Sequence, residues 1–541
     1  MVTSGNLDRF NSRRSTAYHP NGIVATSQPL AASVGRDILK DGGNAFDAAV
    51  ATAAVLNVVE PTSTGIGGDV FALYRTADGD VGALQSSGHA PKAATIDRVR
   101  ERAAAEQGVD EADATMPLTG GLTVTVPGTA RGWESIADRY GRLPLDTLLE
   151  PAIEYARDGY PVTEFIAEKW KHADELFTDD YARDTFLPSG RPPTPGEHIE
   201  LPDLAATFST IAADGADGLY DGPLGERIVE TVQEAGGLLT MADLREFAVE
   251  YPEPISTTYR GVEVFELPPN NQGLVVLEAL NIADELAADG VDPSDPERIH
   301  QLVESMKAAF TDGHHYITDP EYESVPPLHE KDYARKRASD IGPAATEDVD
   351  IGVPNGRSED ADTVLLTVAD AAGNVVSFIN SLFKGFGSGL VVPGTGIALQ
   401  NRGRSFSLDP DHPNHIAPGK RPFHTLIPGL ARFDADDWMA FGVMGGFMQP
   451  QGHLQVITNL VDRGMTEQAA LDEPRWRYRA DGRVAVEARM DTQTVSTLVR
   501  KGHDLTVMSP ESFGGGQIAR YADGTLIGGT DPRKDGIVSG Y

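Results

Sequence analysis

A mixed α/β architecture, with helices outside and strands within, follows from three features of the chain. Residues 44–59 form an Ala-rich helical block that is apolar nearly all round. Residues 363–370 and 375–381 are β-rich runs on either side of a Gly373-Asn374 turn, and helical patterns fill most of residues 132–290. A helix apolar on every side must be buried between other elements, and two β-rich runs around a Gly-Asn turn read as a hairpin. Forty per cent of the 541 residues are hydrophobic and 23% are charged, enough apolar mass to offset chain entropy and exclude a disordered chain. The length suits two to four domains or one large layered α/β fold.

The elements follow in order. An extended piece at 23–26 leads to a helix ending near Asp41; Gly42 and Gly43 supply its stop and Asn44 the next N-cap. The Ala-rich helix gives way to the Gly-rich turn PTSTGIGGD (61–69) and a strand over 70–74. The helical region that follows is broken by the Pro-rich stretch 187–195 and by Gly236-Gly237. A strand at 262–267, a turn at 270–273 and a helix over 299–310 come next. Residues 320–361 are rich in Pro, Asp, Glu, Ser and Gly, with little apolar periodicity, and read as an exposed or mobile segment. After the hairpin, Gly-rich turns are expected at 385–389 and 442–446, and a helix at about 450–463 behind the second.

Charge and composition exclude several function classes. Forty-five Lys+Arg against 81 Asp+Glu give a formal charge of −36, spread along the chain. Nucleic acid and anionic membrane are disfavoured, because phosphate binding needs a concentrated basic surface. The charge reads as a solvated acidic shell suited to high salt, an ordinary acidic enzyme being the alternative. Without cysteine there is no disulfide, thiol nucleophile or thiolate metal site, so a nucleophile must carry oxygen or nitrogen. Residues 1–22 are polar, with no apolar core of an export signal, and no apolar run is long enough to span a bilayer. A cytoplasmic protein is expected.

Thr363 opens a strand directly after the loose segment and behind Asp362. Threonine is a poor nucleophile within a chain. At a new chain terminus its own α-amine, with an ordinary pKa near 8, can take the hydroxyl proton at neutral pH. A cut between Asp362 and Thr363 would create both groups together. Other signals are weaker. His314 and His315 are adjacent on a helix end and point apart, without the spacing of a metal motif. Residues 385–389 superficially resemble a phosphate loop but run into a strand, which offers no helix N-terminus. His424 has no GxSxG serine to partner it.

Several blocks, in order, carry a resemblance: GGNAFDAAVATAAVLNVVEPTSTGIGGDVFALY (42–74), ESMKAAFTDGHHYITDP (304–320), DTVLLTVADAAGNVVSFINS (362–381), GIALQNR (396–402), GKRPFHTLIP (419–428), MGG (444–446) and DPRKDGIVSGY (531–541). The chain resembles the γ-glutamyltransferase family from about residue 22 to its end. The resemblance implies an αββα four-layer sandwich of the N-terminal-nucleophile hydrolase type. It implies a precursor cut before Thr363 into a large subunit, 1–362, and a small subunit, 363–541, that stay together as a non-covalent heterodimer forming one αββα unit. Thr363 would be nucleophile and, through its freed amine, base; Ser381 would orient it; Gly445 and Gly446 would bind the oxyanion. No cofactor and no metal is implied.

The resemblance also has departures. Ser87, His424 and Thr425 stand where glutathione-cleaving relatives place an arginine and a serine pair that hold the glutamyl carboxylate. Phe383, Arg402 and Ser405 replace the asparagine, glutamine and aspartate that hold its amine. An amine-binding carboxylate is thus expected to be missing and a guanidinium present, able to pair in two hydrogen bonds with a carboxylate and repelling an ammonium. This looks closer to the cephalosporin-acylase-like branch, which cleaves glutaryl-type amides. The expected activity is a self-processing amidohydrolase or acyltransferase acting on γ-glutamyl or related dicarboxylic acyl amides, with water or an amine as acceptor. A glutaryl amidase with little γ-glutamyl activity is the alternative, and an uncleaved, inactive binding or scaffold protein is the rival of another class.

Overall fold

The computed structural model describes residues 7, 10–287, 290–346 and 362–541, Asp362 through its backbone alone. Numbering only the strands of the two large sheets gives β1 (Ala17–His19), β2 (Gly22–Thr26), β3 (Asp69–Arg75), β4 (Val81–Ser86), β5 (Ile255–Tyr259), β6 (Val262–Glu266), β7 (Asp362–Asp370), β8 (Val375–Phe383), β9 (Gly429–Asp434), β10 (Asp437–Met444), β11 (Gly515–Ala522), β12 (Thr525–Thr530) and β13 (Ile537–Gly540). One sheet has the order β13-β2-β7-β8-β3-β4 and the other β1-β12-β11-β10-β9-β6-β5. All the pairings in both are antiparallel. Each sheet combines strands from before and after Thr363.

Strand periodicity builds the layers. Along β7, Val364, Leu366 and Val368 join a core shared with the helices Ala45–Val59 and Leu145–Asp158, while Leu365 and Ala369 face the other sheet. The inter-sheet core also takes Ile23, Phe71, Leu73, Ile379, Leu430, Ala440 and Ala519. Met439, Phe441 and Val443 point the opposite way, to the helices Gly273–Ala287, Pro296–Tyr316 and Met448–Val461. Successive side chains on a strand point to opposite faces, so each sheet is lined with helix on one side and sheet on the other. The result is the αββα sandwich.

The Ala-rich helix runs Ala45–Val59 with all its side chains buried, and Asn44 caps it in a reciprocal capping box with Asp47. One expectation is refined and another is corrected. The segment 320–361 contains a helix, Lys331–Ser339, because Ala334 and Ala338, one turn apart, pack against Ile282 and Leu286; a neighbour's apolar face stabilises it, not its own periodicity. Residues 347–361 of that segment lie outside the described residues. Gly442, Val443 and Met444 belong to β10, so only Gly445 and Gly446 form the turn, and the helix behind begins at Met448. Among the described residues no helix is long and apolar enough to cross a membrane.

Candidate active site

The site is built from one transverse row of the six-stranded sheet. Asp69 is the register partner of Ser381, and Val70 that of Ser86, which puts Ser87 next to Asp69 on the far side. On β7, Val364 pairs with Asn380 and Asp362 with Phe383, so a bulge on β8 sets Ser381 and Leu382 against Thr363. Val364, Val70 and Asn380 point to the helices; their neighbours Thr363, Asp69 and Ser381 therefore face the space between the sheets.

Thr363 Oγ1 lies 3.1 Å from Ser381 Oγ, and Phe383 N–H donates to Ser381 Oγ at 2.8 Å. Both hydroxyls are buried. Phe383 itself sits at φ 77°, a left-handed conformation costly for a bulky residue, and its ring lies 4.3 Å from the Arg402 guanidinium.

Gly445 and Gly446 have φ values of 120° and 57°, which suit glycine. Their carbonyls are occupied: Met448 N–H donates to Gly445 O at 2.9 Å, and Gln449 N–H and the Gln272 side chain to Gly446 O. Among the described residues no acceptor is paired with the N–H of either glycine. β10 crosses the other sheet with Phe441 O accepting from Ser377 Oγ at 2.9 Å and Gly442 against Leu365. It therefore advances toward the Thr363 end, where the two glycines follow it and precede a helix N-terminus.

Beside this row, Asp69 Oδ2 accepts from Arg402 Nε at 3.1 Å and from His424 Nε2 at 3.2 Å, and none of the three side chains is exposed. Leu426 N–H donates to His424 Nδ1 at 3.2 Å, so the ring is a neutral imidazole with its proton on Nε2. Burial and the Arg402 charge push His424 down to about 3, against the pull of Asp69. Burial also lowers Arg402, opposed by Asp69. Arg402 Nη1 donates to Thr425 Oγ1 at 2.9 Å. Among the described residues, Arg402 Nη2, Asp69 Oδ1 and Ser87 Oγ are buried without a hydrogen-bond partner.

This corrects the expected pocket charge. A carboxylate is present, Asp69, and it neutralises Arg402; with Nε and Nη1 engaged, Nη2 alone is left for a ligand. Asp69 escaped the sequence reading although it ends the Gly-rich turn and opens an apolar strand, the place where an acidic side chain calls for a buried partner. The fold gathers Thr363, Ser381, Ser87, Phe383, Arg402, His424 and Thr425 about it. Ser405 ends the 3₁₀ turn Arg402–Ser405; its carbonyl accepts from Asn414 Nδ2 at 2.7 Å, and no described contact joins it to Asp69. His314 is buried against Phe310 and Phe447, while the exposed His315 turns to Tyr316, so the two diverge.

Comparison with known proteins completes the picture. A family model described as Gamma-glutamyltranspeptidase matches residues 31–541. The chain is 37% identical over 535 residues to the glutathione hydrolase-like YwrD proenzyme of Bacillus subtilis, covering 96% of this chain and 98% of that protein. It is 36% identical over 538 residues to the oxamate amidohydrolase proenzyme of Klebsiella pneumoniae, with the same coverage, 96% and 98%. The crystal structure of cephalosporin acylase from Bacillus halodurans superposes with a TM-score of 0.89 at 45% identity, over 98% of this chain and 97% of that one. With the family match running from residue 31 to 541 and so through the Thr363 row, the chain belongs to the γ-glutamyltranspeptidase family and is an amidohydrolase or acyltransferase.

Proposed function

We propose that the chain cuts itself between Asp362 and Thr363 and then uses Thr363 to cleave an acyl amide with an amino-acid-like head. The observation that carries this reading is the buried row Thr363–Ser381–Asp69, with a hydroxyl pair at one end and a charged recognition cluster at the other. The α-amine released on Thr363 takes the hydroxyl proton, Oγ1 attacks the amide carbonyl, and Ser381 holds Oγ1 in line. The N–H groups of Gly445 and Gly446 receive the developing oxyanion, a preset arrangement that needs no reorganisation. The adduct collapses with loss of the amine, which takes the proton from the Thr363 α-ammonium, and water or an amine then attacks the ester and frees the acyl group from Oγ1. Fragments 1–362 and 363–541 stay associated, since each sheet interleaves strands from both.

The orphan atoms of the cluster speak to the donor. Arg402 Nη2 offers a donor and Asp69 Oδ1 an acceptor, both buried, and an unmatched group of this kind costs about 1–3 kcal/mol. A γ-glutamyl head matches both, its carboxylate meeting Arg402 and its ammonium Asp69. A glutaryl head, with a methylene in place of the ammonium-bearing carbon, matches the first alone and leaves Asp69 Oδ1 unpaired. Asp69 is two strands from Thr363, about 10 Å at the usual strand spacing. That span favours an acyl chain of several carbons over a carboxylate placed directly on the scissile carbonyl, as in oxamate.

Purified protein analysed by denaturing gel and mass spectrometry should give fragments 1–362 and 363–541, and γ-glutamyl anilide should be turned over faster than glutaryl anilide. An intact chain in active material would overturn the nucleophile; faster glutaryl turnover would overturn the donor assignment and leave the nucleophile standing.

A further inference from the structure

Away from the Thr363 row, three buried side chains capable of ligating a metal converge from distant parts of the chain. His300 and Glu304 are one turn apart on the helix Pro296–Tyr316 and so share a face. His503 follows the helix Thr492–Arg500. One ligating atom from each lies within 4.8 Å of the other two.

Hydrogen bonds prepare these atoms. His300 Nε2 lies 3.2 Å from Gly342 O, which only accepts, so the proton sits on Nε2 and Nδ1 keeps its lone pair. A backbone carbonyl on the far nitrogen is the usual support of a metal-bound histidine. His300 Nδ1 is 2.9 Å from His503 Nε2. Thr346 N–H donates to Glu304 Oε2 at 3.0 Å, directing Oε1 inward. His503 Nδ1 is 3.9 Å from Glu304 Oε1 and has no hydrogen-bond partner among the described residues.

We propose that His300 Nδ1, His503 Nε2 and Glu304 Oε1 bind one divalent transition-metal ion of the zinc type, with water in the fourth position. On binding, the His503 proton moves from Nε2 to Nδ1. Two imidazoles and a carboxylate are a donor set that suits Zn²⁺ and its neighbours. Two cations face the site. Lys501 is held by Glu297 at 2.7 Å and by Pro343 O at 2.7 Å. Lys307 Nζ lies 2.7 Å from Glu304 Oε1 and must give way; Thr346 O at 3.4 Å and the face of the Tyr478 ring, 5.4 Å away, offer it other partners. Because the ligands come from both sides of Thr363, the ion would tie the helix Pro296–Tyr316 to the C-terminal part of the chain.

The test is calorimetric titration of ZnCl₂ into full-length, chelator-stripped protein, with visible absorption of a Co²⁺-substituted sample as a second readout. One saturable Zn²⁺ per chain and the strong absorption of four-coordinate Co²⁺ are expected. His300→Ala and His503→Ala should each weaken Zn²⁺ binding at least about tenfold. Lys307→Met, which frees Glu304 Oε1, should tighten it, and His315→Ala, at an exposed position on the same helix, should leave it unchanged. Absence of saturable binding, or stoichiometric binding that survives both histidine variants and is indifferent to Lys307→Met, would overturn the site.

Discussion

Asp69 and Arg402 are 333 residues apart in sequence, yet Asp69 Oδ2 and Arg402 Nε lie 3.1 Å apart with neither side chain exposed. Two buried charges of opposite sign, with a neutral His424 on the same carboxylate oxygen, give a site polar in its groups and balanced in its charge.

Removing one member of that pair should be costly. Asp69→Asn leaves a buried guanidinium without its counter-charge, an effect on the order of 3–5 kcal/mol. The urea midpoint should drop accordingly, and Asp69→Asn combined with Arg402→Met should recover part of the loss. Additive losses in the double variant would show that the two side chains act independently.

Substitutions at Thr363 separate self-cleavage from the fold. Thr363→Ala should migrate as one full-length band with no turnover, whereas Thr363→Ser, which keeps a hydroxyl, should still be cut and remain active at a reduced rate. Ser381→Ala should slow turnover by up to about a hundredfold through loss of alignment. A fully active Thr363→Ala protein would remove Thr363 from the chemistry.

At the glycine turn, a Cβ on Gly445 would sit 3.3 Å from Gly514 Cα, in a conformation that L side chains rarely adopt. Gly445→Ala should therefore disturb the turn and lower kcat by about 10² to 10³, the range for loss of one oxyanion donor. KM should change much less. A drop confined to KM would place the turn in substrate binding instead.

Stability should fall as pH is lowered. His424 and His503 are both held at about 3, chiefly by burial, against an ordinary value of 6.5. The unfolded chain takes up two protons that the folded chain refuses between these limits. Their contribution is full above about pH 6.5 and is lost as pH falls toward 3, with a slope of up to about 2.7 kcal/mol per pH unit. Urea midpoints at pH 7 and pH 5 measure it, and His503→Gln should flatten the dependence. Equal midpoints for wild type at both values would contradict these shifts.

Salt is the remaining lever. A formal charge of −36 repels itself over about 30 Å at 0.01 M ionic strength and about 3 Å at 1 M. The melting temperature should rise steadily between those concentrations of NaCl. An identical melting curve and full activity in salt-free buffer would leave the acidity without a salt-adaptive role.

Local pattern carried far in this chain. The Asn44 cap, the all-apolar helix behind it and the Gly373-Asn374 hairpin were legible because each depends on neighbours within a few residues. The helix Lys331–Ser339 was not, since its two buried alanines acquire meaning through Ile282 and Leu286 on another helix. Arg402 was visible in the sequence as a charge, but its partner Asp69, 333 residues away, was not.

From the sequence alone came the strand that opens at Thr363, the Gly445-Gly446 turn and the family, because order along the chain and backbone periodicity are properties of one dimension. The tertiary structure decided which charges cancel. Asp69 meets Arg402 and His424 through strand register and the facing of two sheets, and the energy of a buried charge is fixed by what lies within a few ångströms of it, a distance that separation along the chain does not encode.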